Sequence, residues 1–121
     1  MKAVKLESQD FEIFAGNDKT LNFTLLDESD AKVDLTGATI RWGMAKHSGA
    51  KTLLFSYTSP TNITIPAQTG DNLGLFSVAV QPADTSGLKT ADYYHECEIV
   101  DAASNILTGA FGTAHLKNAV L

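Results

Sequence analysis

Apolar and polar residues alternate with a period of two along most of the chain. Leu21, Phe23 and Leu25 are separated by Asn22 and Thr24, and Ile40, Trp42 and Met44 by Arg41 and Gly43. The same beat runs through Leu53, Phe55 and Tyr57, through Ile63 and Ile65, and through Phe76, Val78 and Val80. Tyr93, His95, Cys97 and Ile99 share one face of a further segment, with Tyr94, Glu96 and Glu98 on the other. A period of two puts successive side chains on opposite faces, so each stretch predicts a half-buried strand.

Polar and glycine-bearing clusters interrupt the strands where turns belong. They are Asp27-Glu28-Ser29-Asp30, His47-Ser48-Gly49-Ala50-Lys51, Ser59-Pro60-Thr61-Asn62 and Gln68-Thr69-Gly70-Asp71-Asn72. Val33-Asp34-Leu35 reads as a short edge segment entering a turn at Thr36-Gly37. A proline start and a glycine stop mark one short helical turn near residues 82–88, crossing between sheets. No long amphipathic helix is supported. The expected class is therefore all-β, a sandwich or barrel of seven or eight antiparallel strands.

There is no internal repeat, low-complexity run or linker, so residues 1–121 read as a single domain with possible extended terminal arms. Residues 1–10 are mixed and polar before Phe11-Glu12-Ile13-Phe14 enters the core. Residues 113–121 read as a last edge strand with frayed residues, or as an arm that adds a strand to a neighbouring subunit.

Composition narrows the function classes. The chain has 121 residues, 44% of them hydrophobic and 19% charged, enough apolar material for one core. Its formal net charge is -5, and its basic residues are scattered. That argues against nucleic-acid binding, which draws on clustered Lys and Arg. Cys97 is the lone cysteine, which suits assembly in a reducing host cytoplasm. Residues 1–7 lack the apolar core of a secretory signal, and no run is long enough to span a bilayer.

Candidate chemistry is sparse. His47, His95 and His115 fall on separate segments, and His95-Glu96-Cys97-Glu98 splits its ligands between two strand faces. A buried mid-strand thiol at Cys97 is an inert one. There is no Gly-x-Ser-x-Gly elbow and no glycine-rich loop opening a helix. Asp27-Glu28-Ser29-Asp30 and Asp71-Asn72 are oxygen-rich, but ordinary turn chemistry is the expectation there. The reading is non-enzymatic, with no catalytic, cofactor or metal residues. Tyr94 faces away from the core, and with Tyr57 it is the best candidate for an exposed ring.

Four strings carry a resemblance: Gly16-Asn17-Asp18 before Leu21-Asn22-Phe23-Thr24-Leu25; Val33-Asp34-Leu35-Thr36-Gly37-Ala38-Thr39-Ile40-Arg41-Trp42; Gln81-Pro82-Ala83-Asp84-Thr85-Ser86-Gly87-Leu88; and Tyr93-Tyr94-His95-Glu96. Together they resemble the immunoglobulin-like domain of tailed-phage structural proteins, as in the N-terminal region of baseplate upper proteins. The likeness covers nearly the whole chain. It implies a structural core of Trp42, Leu88, Tyr93, Phe23 and Phe76 and a turn built by Asp34, Thr36 and Gly37. It also implies a tyrosine corner, in which the Tyr93 phenol bonds backbone upstream and meets Trp42 in the seam between sheets. The family usually has glycine two residues before that tyrosine; here Ala91 stands there. The helical stalk that follows in baseplate upper proteins does not carry over.

The resemblance implies a non-enzymatic virion structural protein. It would dock onto other virion proteins as a tail, baseplate or neck adaptor, or as a capsid cement or decoration protein, in a symmetric multicopy assembly. The expected partners are tail, baseplate, neck or capsid subunits, with no nucleic acid and no membrane. Tyr94, His115, Leu116, Val120 and Leu121 are the candidate interface residues. The alternative is a carbohydrate-binding sandwich module for host or surface glycans, stacking sugars on Tyr94 and Tyr57.

Overall fold

The alternation resolves into two facing sheets. A computed structural model describes residues 4–6, 8–118 and 120. The strands are β1 (Phe11–Phe14), β2 (Lys19–Thr24), β3 (Thr39–Ala45), β4 (Phe55–Thr58), β5 (Ile63–Thr64), β6 (Leu75–Val80), β7 (Ala91–Val100) and β8 (Ile106–Lys117). One sheet has the order β1-β8-β7-β3-β4 and the other β2-β6-β5. One α-helical turn, α1 (Pro82–Thr85), carries the chain from β6 in the small sheet toward β7 in the large one. Pro82 opens it because a first-turn N–H has no helical partner to lose.

The inward residues of both sheets form one buried cluster. Trp42 is 0% exposed and stacks on Tyr57 at 5.9 Å, with Phe55 meeting it edge-on at 5.8 Å. Phe23 and Phe76, neighbours across β2 and β6, stack at 4.9 Å. Leu88 and Tyr93 pack against the core while half-buried. The Tyr93 hydroxyl donates to the Lys89 carbonyl at 2.7 Å and ties the start of β7 to the chain before it.

Several expectations are corrected. Tyr57 is the tyrosine that stacks on Trp42, while Tyr93 packs half-buried against the same core. Tyr57 is only 7% exposed, so it offers no ring to a sugar. Its hydroxyl donates to Asp84 Oδ2 at 2.6 Å and accepts the Gln81 N–H at 2.9 Å, bracing α1 against the large sheet. The strands are not all antiparallel: β1 lies parallel to β8, with Phe11 opposite Ala114 and Phe14 opposite Lys117. Straight after β1 the chain turns at Gly16 and crosses to the other sheet, so β1 has no hairpin partner. A period of two is the same for both pairing senses. A second helical turn, 3-10 in type, occupies Gly70–Asn72.

Val33 and Leu35 form no edge strand; Leu26 and Lys32 make one isolated bridge, and both apolar side chains plug the sandwich end. The turn after them is built locally. Asp34 Oδ1 accepts the Thr36 hydroxyl at 2.6 Å and the Thr36 N–H at 2.9 Å, which holds the carboxyl below its usual range. Gly37 follows with φ of 73°, a left-handed value that side chains disfavour.

The last strand departs most from expectation. β8 runs to Lys117 between β1 and β7, so it is an interior strand, not an edge. Ala114 and Leu116 lie in the core, and Leu116 at 2% exposure cannot face a partner. The arm reading therefore fails for residues 114–117. Val120 is 99% exposed, and Leu121 lies outside the described residues.

Candidate interaction surface

The outer face of the large sheet gathers most of the exposed candidates. Register sets three rows there. Arg41, Glu98 and Thr108 form the first, Gly43, Glu96 and Phe111 the second, and Ala45, Tyr94 and Thr113 the third. His115 and Asp92 continue the face, joined by a 2.7 Å contact from His115 Nδ1 to Asp92 Oδ1. Leu53 lies over Gly43 at the far side.

The third row borders an open depression of about 440 Å³. Leu6 and Phe111 line it with apolar surface, and Ser8, Ser48, Tyr94 and Thr113 with hydroxyls. Among the described residues its titratable side chain is the Tyr94 phenol. Burial, then the bond to Glu96 at 2.7 Å, pushes that phenol up to about 12. Such a lining can hold a partner by apolar contact and by hydrogen bonds from its hydroxyls.

Of the sequence candidates, Tyr94 and His115 share this face, Leu116 points away from it, and Val120 belongs to neither sheet. Sequence reasoning missed Leu6 and Phe111. Leu6 sits in a mixed segment without period, and Phe111 is flanked by Ala110 and Gly112, which mask the alternation.

Beneath the surface, His95 forms the main polar feature of the core. It is fully buried on β7. Its Nδ1 accepts the Trp42 Nε1–H at 3.2 Å, and its Nε2–H donates to the Gln9 carbonyl. The carbonyl can only accept, so Nε2 carries the proton and the ring is neutral. Phe11 packs edge-on against the ring at 4.9 Å. Residues 8–10 are thereby strapped onto β8. Gln9 N–H reaches the Phe111 carbonyl at 2.7 Å, and Asp10 Oδ1 accepts the Thr113 N–H at 2.9 Å. Gly112 permits this approach, since a Cβ there would stand 2.4 Å from the Gln9 oxygen.

Burial lowers the pKa of His95 below its ordinary value, outweighing the Gln9 bond and the nearby Asp10 charge. The unfolded chain binds that proton more readily than the folded one. The contribution is therefore complete above the unfolded value near 6.5 and is lost as pH falls below it. Urea midpoints should drop between pH 7.5 and pH 5, and His95→Gln should flatten that part of the profile. A wild-type midpoint constant across this window contradicts the assignment.

Cys97 is also fully buried, and burial pushes its thiol up to about 12, the range of an inert packing group. At one sandwich end Asp27, Asp34 and Asp101 border another depression. Each serves a turn: Asp27 Oδ1 accepts Ser29 and Ala31 N–H groups, and Asp101 Oδ1 those of Ala103 and Asn105. Asp30 pairs with Lys5 at 2.7 Å. Among the described residues no three His, Cys, Asp or Glu side chains cluster as metal ligands. No helix among them is long and apolar enough to cross a membrane.

Neither a protein-family model nor a curated protein sequence matches the chain.

Proposed function

We propose that this chain is an immunoglobulin-like domain acting as a non-enzymatic structural protein of a tailed-phage virion. It docks onto other virion proteins through the outer face of its large sheet. The observation that carries the reading is the tyrosine bond within this strand order. Lettered as immunoglobulin strands, β2, β6 and β5 follow B, E and D, and β4, β3, β7 and β8 follow C′, C, F and G. Tyr93, near the start of the F position, bonds the backbone four residues upstream, as a tyrosine corner does. Ala91 in place of the usual glycine leaves that bond in place.

A core filled by side chains, and a hollow whose described lining holds the Tyr94 phenol as its titratable group, support a building block over an enzyme. On this reading the hollow beside Tyr94, Leu6 and Phe111 seats a side chain of a neighbouring subunit, with many copies set by virion symmetry.

The test is direct. Mass spectrometry of gradient-purified, nuclease-treated particles should find the chain at a fixed copy number per particle. An antiserum against the recombinant domain should label one region of the particle. Particles that lack the chain overturn the reading. Glycan binding abolished by Tyr94→Ala would instead establish the carbohydrate-binding alternative.

A further inference from the structure

Every sheet edge leaves a row of backbone N–H and C=O groups without strand partners, and natural edges are usually protected by brevity, charge, proline or a bulge. Among the described residues the two sheets have four edges, and three of them are protected. β5 has two residues and lies between Pro60 and Pro66. β4 has four residues and runs into Ser59-Pro60. β1 has four residues, with Glu12 ion-paired to Lys117 on its outer face.

β2 is different. It has six residues, without proline or bulge, and Thr20-Leu21-Asn22-Phe23-Thr24 carries no charge. Two bonds fix the phase of its hydrogen bonding. Leu25 N–H reaches the Gly74 carbonyl at 2.8 Å, and Ala79 N–H reaches the Asn62 carbonyl at 2.8 Å. In the β2–β6 register, Leu21 and Phe23 therefore exchange bonds with β6, while Thr20, Asn22 and Thr24 aim theirs at the open edge. Among the described residues nothing bonds those three residues from that side. Lys5 N–H, on the Leu26 carbonyl at 2.9 Å, closes one end of the strip, and the turn at Gly16–Asp18 closes the other.

We propose that this edge binds a second copy of the chain, β2 against β2, antiparallel about a two-fold axis through Asn22. The strip reads the same in both directions at its outer positions: Thr, Asn, Thr. The axis sets Thr20 of each copy opposite Thr24 of the other, and Asn22 opposite Asn22. All three pairs are of the type that exchanges two N–H···O bonds. Threonine pairs are favourable cross-strand neighbours, and two facing Asn22 amides carry both the donors and the acceptors to bond each other.

Charge selects the same place. Two copies each carrying -5 repel wherever acids meet. On this outer face the neighbours of the strip are Leu75, Ser77 and Ala79 on β6 and Thr64 on β5, none of them charged. The contact is a single strand pair, well below the roughly 1,200 Å² of a stable complex, so the dimer is weak in isolation and gains from multivalent display. It stands whether or not the chain is a virion protein.

The test uses Asn22→Cys. A two-fold pair of this kind holds its Cα atoms about 5.5 Å apart, within the span a disulfide bridges. Native Cys97 is buried, so the introduced thiol is the one that reports. Mild oxidation of the variant should give a covalent dimer at least tenfold faster than Ser77→Cys, which lies on the same face one strand inward. Wild-type protein should show concentration-dependent sedimentation, and Thr20→Lys combined with Thr24→Lys should abolish it. Equal cross-linking of the two cysteine variants, or a wild-type sedimentation coefficient constant with concentration, overturns the proposal.

Discussion

Removing residues 114–121 is expected to abolish folding. Phe11, Glu12, Ile13 and Phe14 find their strand partners at Ala114, His115, Leu116 and Lys117. The same four residues separate β1 from β7, where Ala91, Asp92 and Tyr93 take partners from the other side. Loss of buried Leu116 alone resembles a large-to-small core substitution, about 2–5 kcal/mol. Loss of the whole segment unpairs β1 and uncovers the end of β7. The sum approaches the entire stability of a small domain, about 5–15 kcal/mol. Near-UV circular dichroism should lose the signal of immobilised Trp42, and heating should show no cooperative transition. A truncated chain that melts at the wild-type temperature would show that the end of β8 is dispensable.

Trp42→Ala should be the most damaging single substitution. It empties the space between Tyr57, Phe55 and His95, at a cost of about 3–5 kcal/mol. It also strands the His95 Nδ1 acceptor in the core, a further loss of roughly 1–3 kcal/mol. Trp42→Phe separates the two effects, because it retains a ring but removes the indole donor. Its urea midpoint should fall between those of wild type and Trp42→Ala. A Trp42→Phe variant as stable as wild type would mean that the indole–imidazole bond contributes nothing net.

The sequence made the two-sheet architecture legible wherever large apolar residues alternate. Ile40, Trp42 and Met44 announced β3, and Phe76, Val78 and Val80 announced β6. The first part of β8 hid because its inward positions from 110 to 114 are Ala110, Gly112 and Ala114, small residues that make room for the strap at Gln9 and for Phe11. A bulge at Cys97/Glu98 also shifts its phase against β7. Small size there is a response to tertiary neighbours, which no local period encodes. Tyr57 misled for a related reason. Its partners Asp84 and Gln81 lie more than twenty positions downstream, so its polar tip looked free. Of the candidate surface, Tyr94 was readable from strand phase, whereas Leu6 and Phe111 joined it only through the long-range bridge of Ser8 to Phe111.

The adjacency of β1 and β8 bears on how the domain is made. Residues near the start of the chain must wait for residues about a hundred positions later before the large sheet can close. On a ribosome, Phe11 to Phe14 emerge early and stay unpaired until Lys117 has cleared the exit tunnel, so native structure completes only after synthesis of this region ends. Contacts of such long sequence separation place the domain among slow folders, in the millisecond-to-second range. During that interval the nascent sheet edge is open to chaperones and to fellow chains alike.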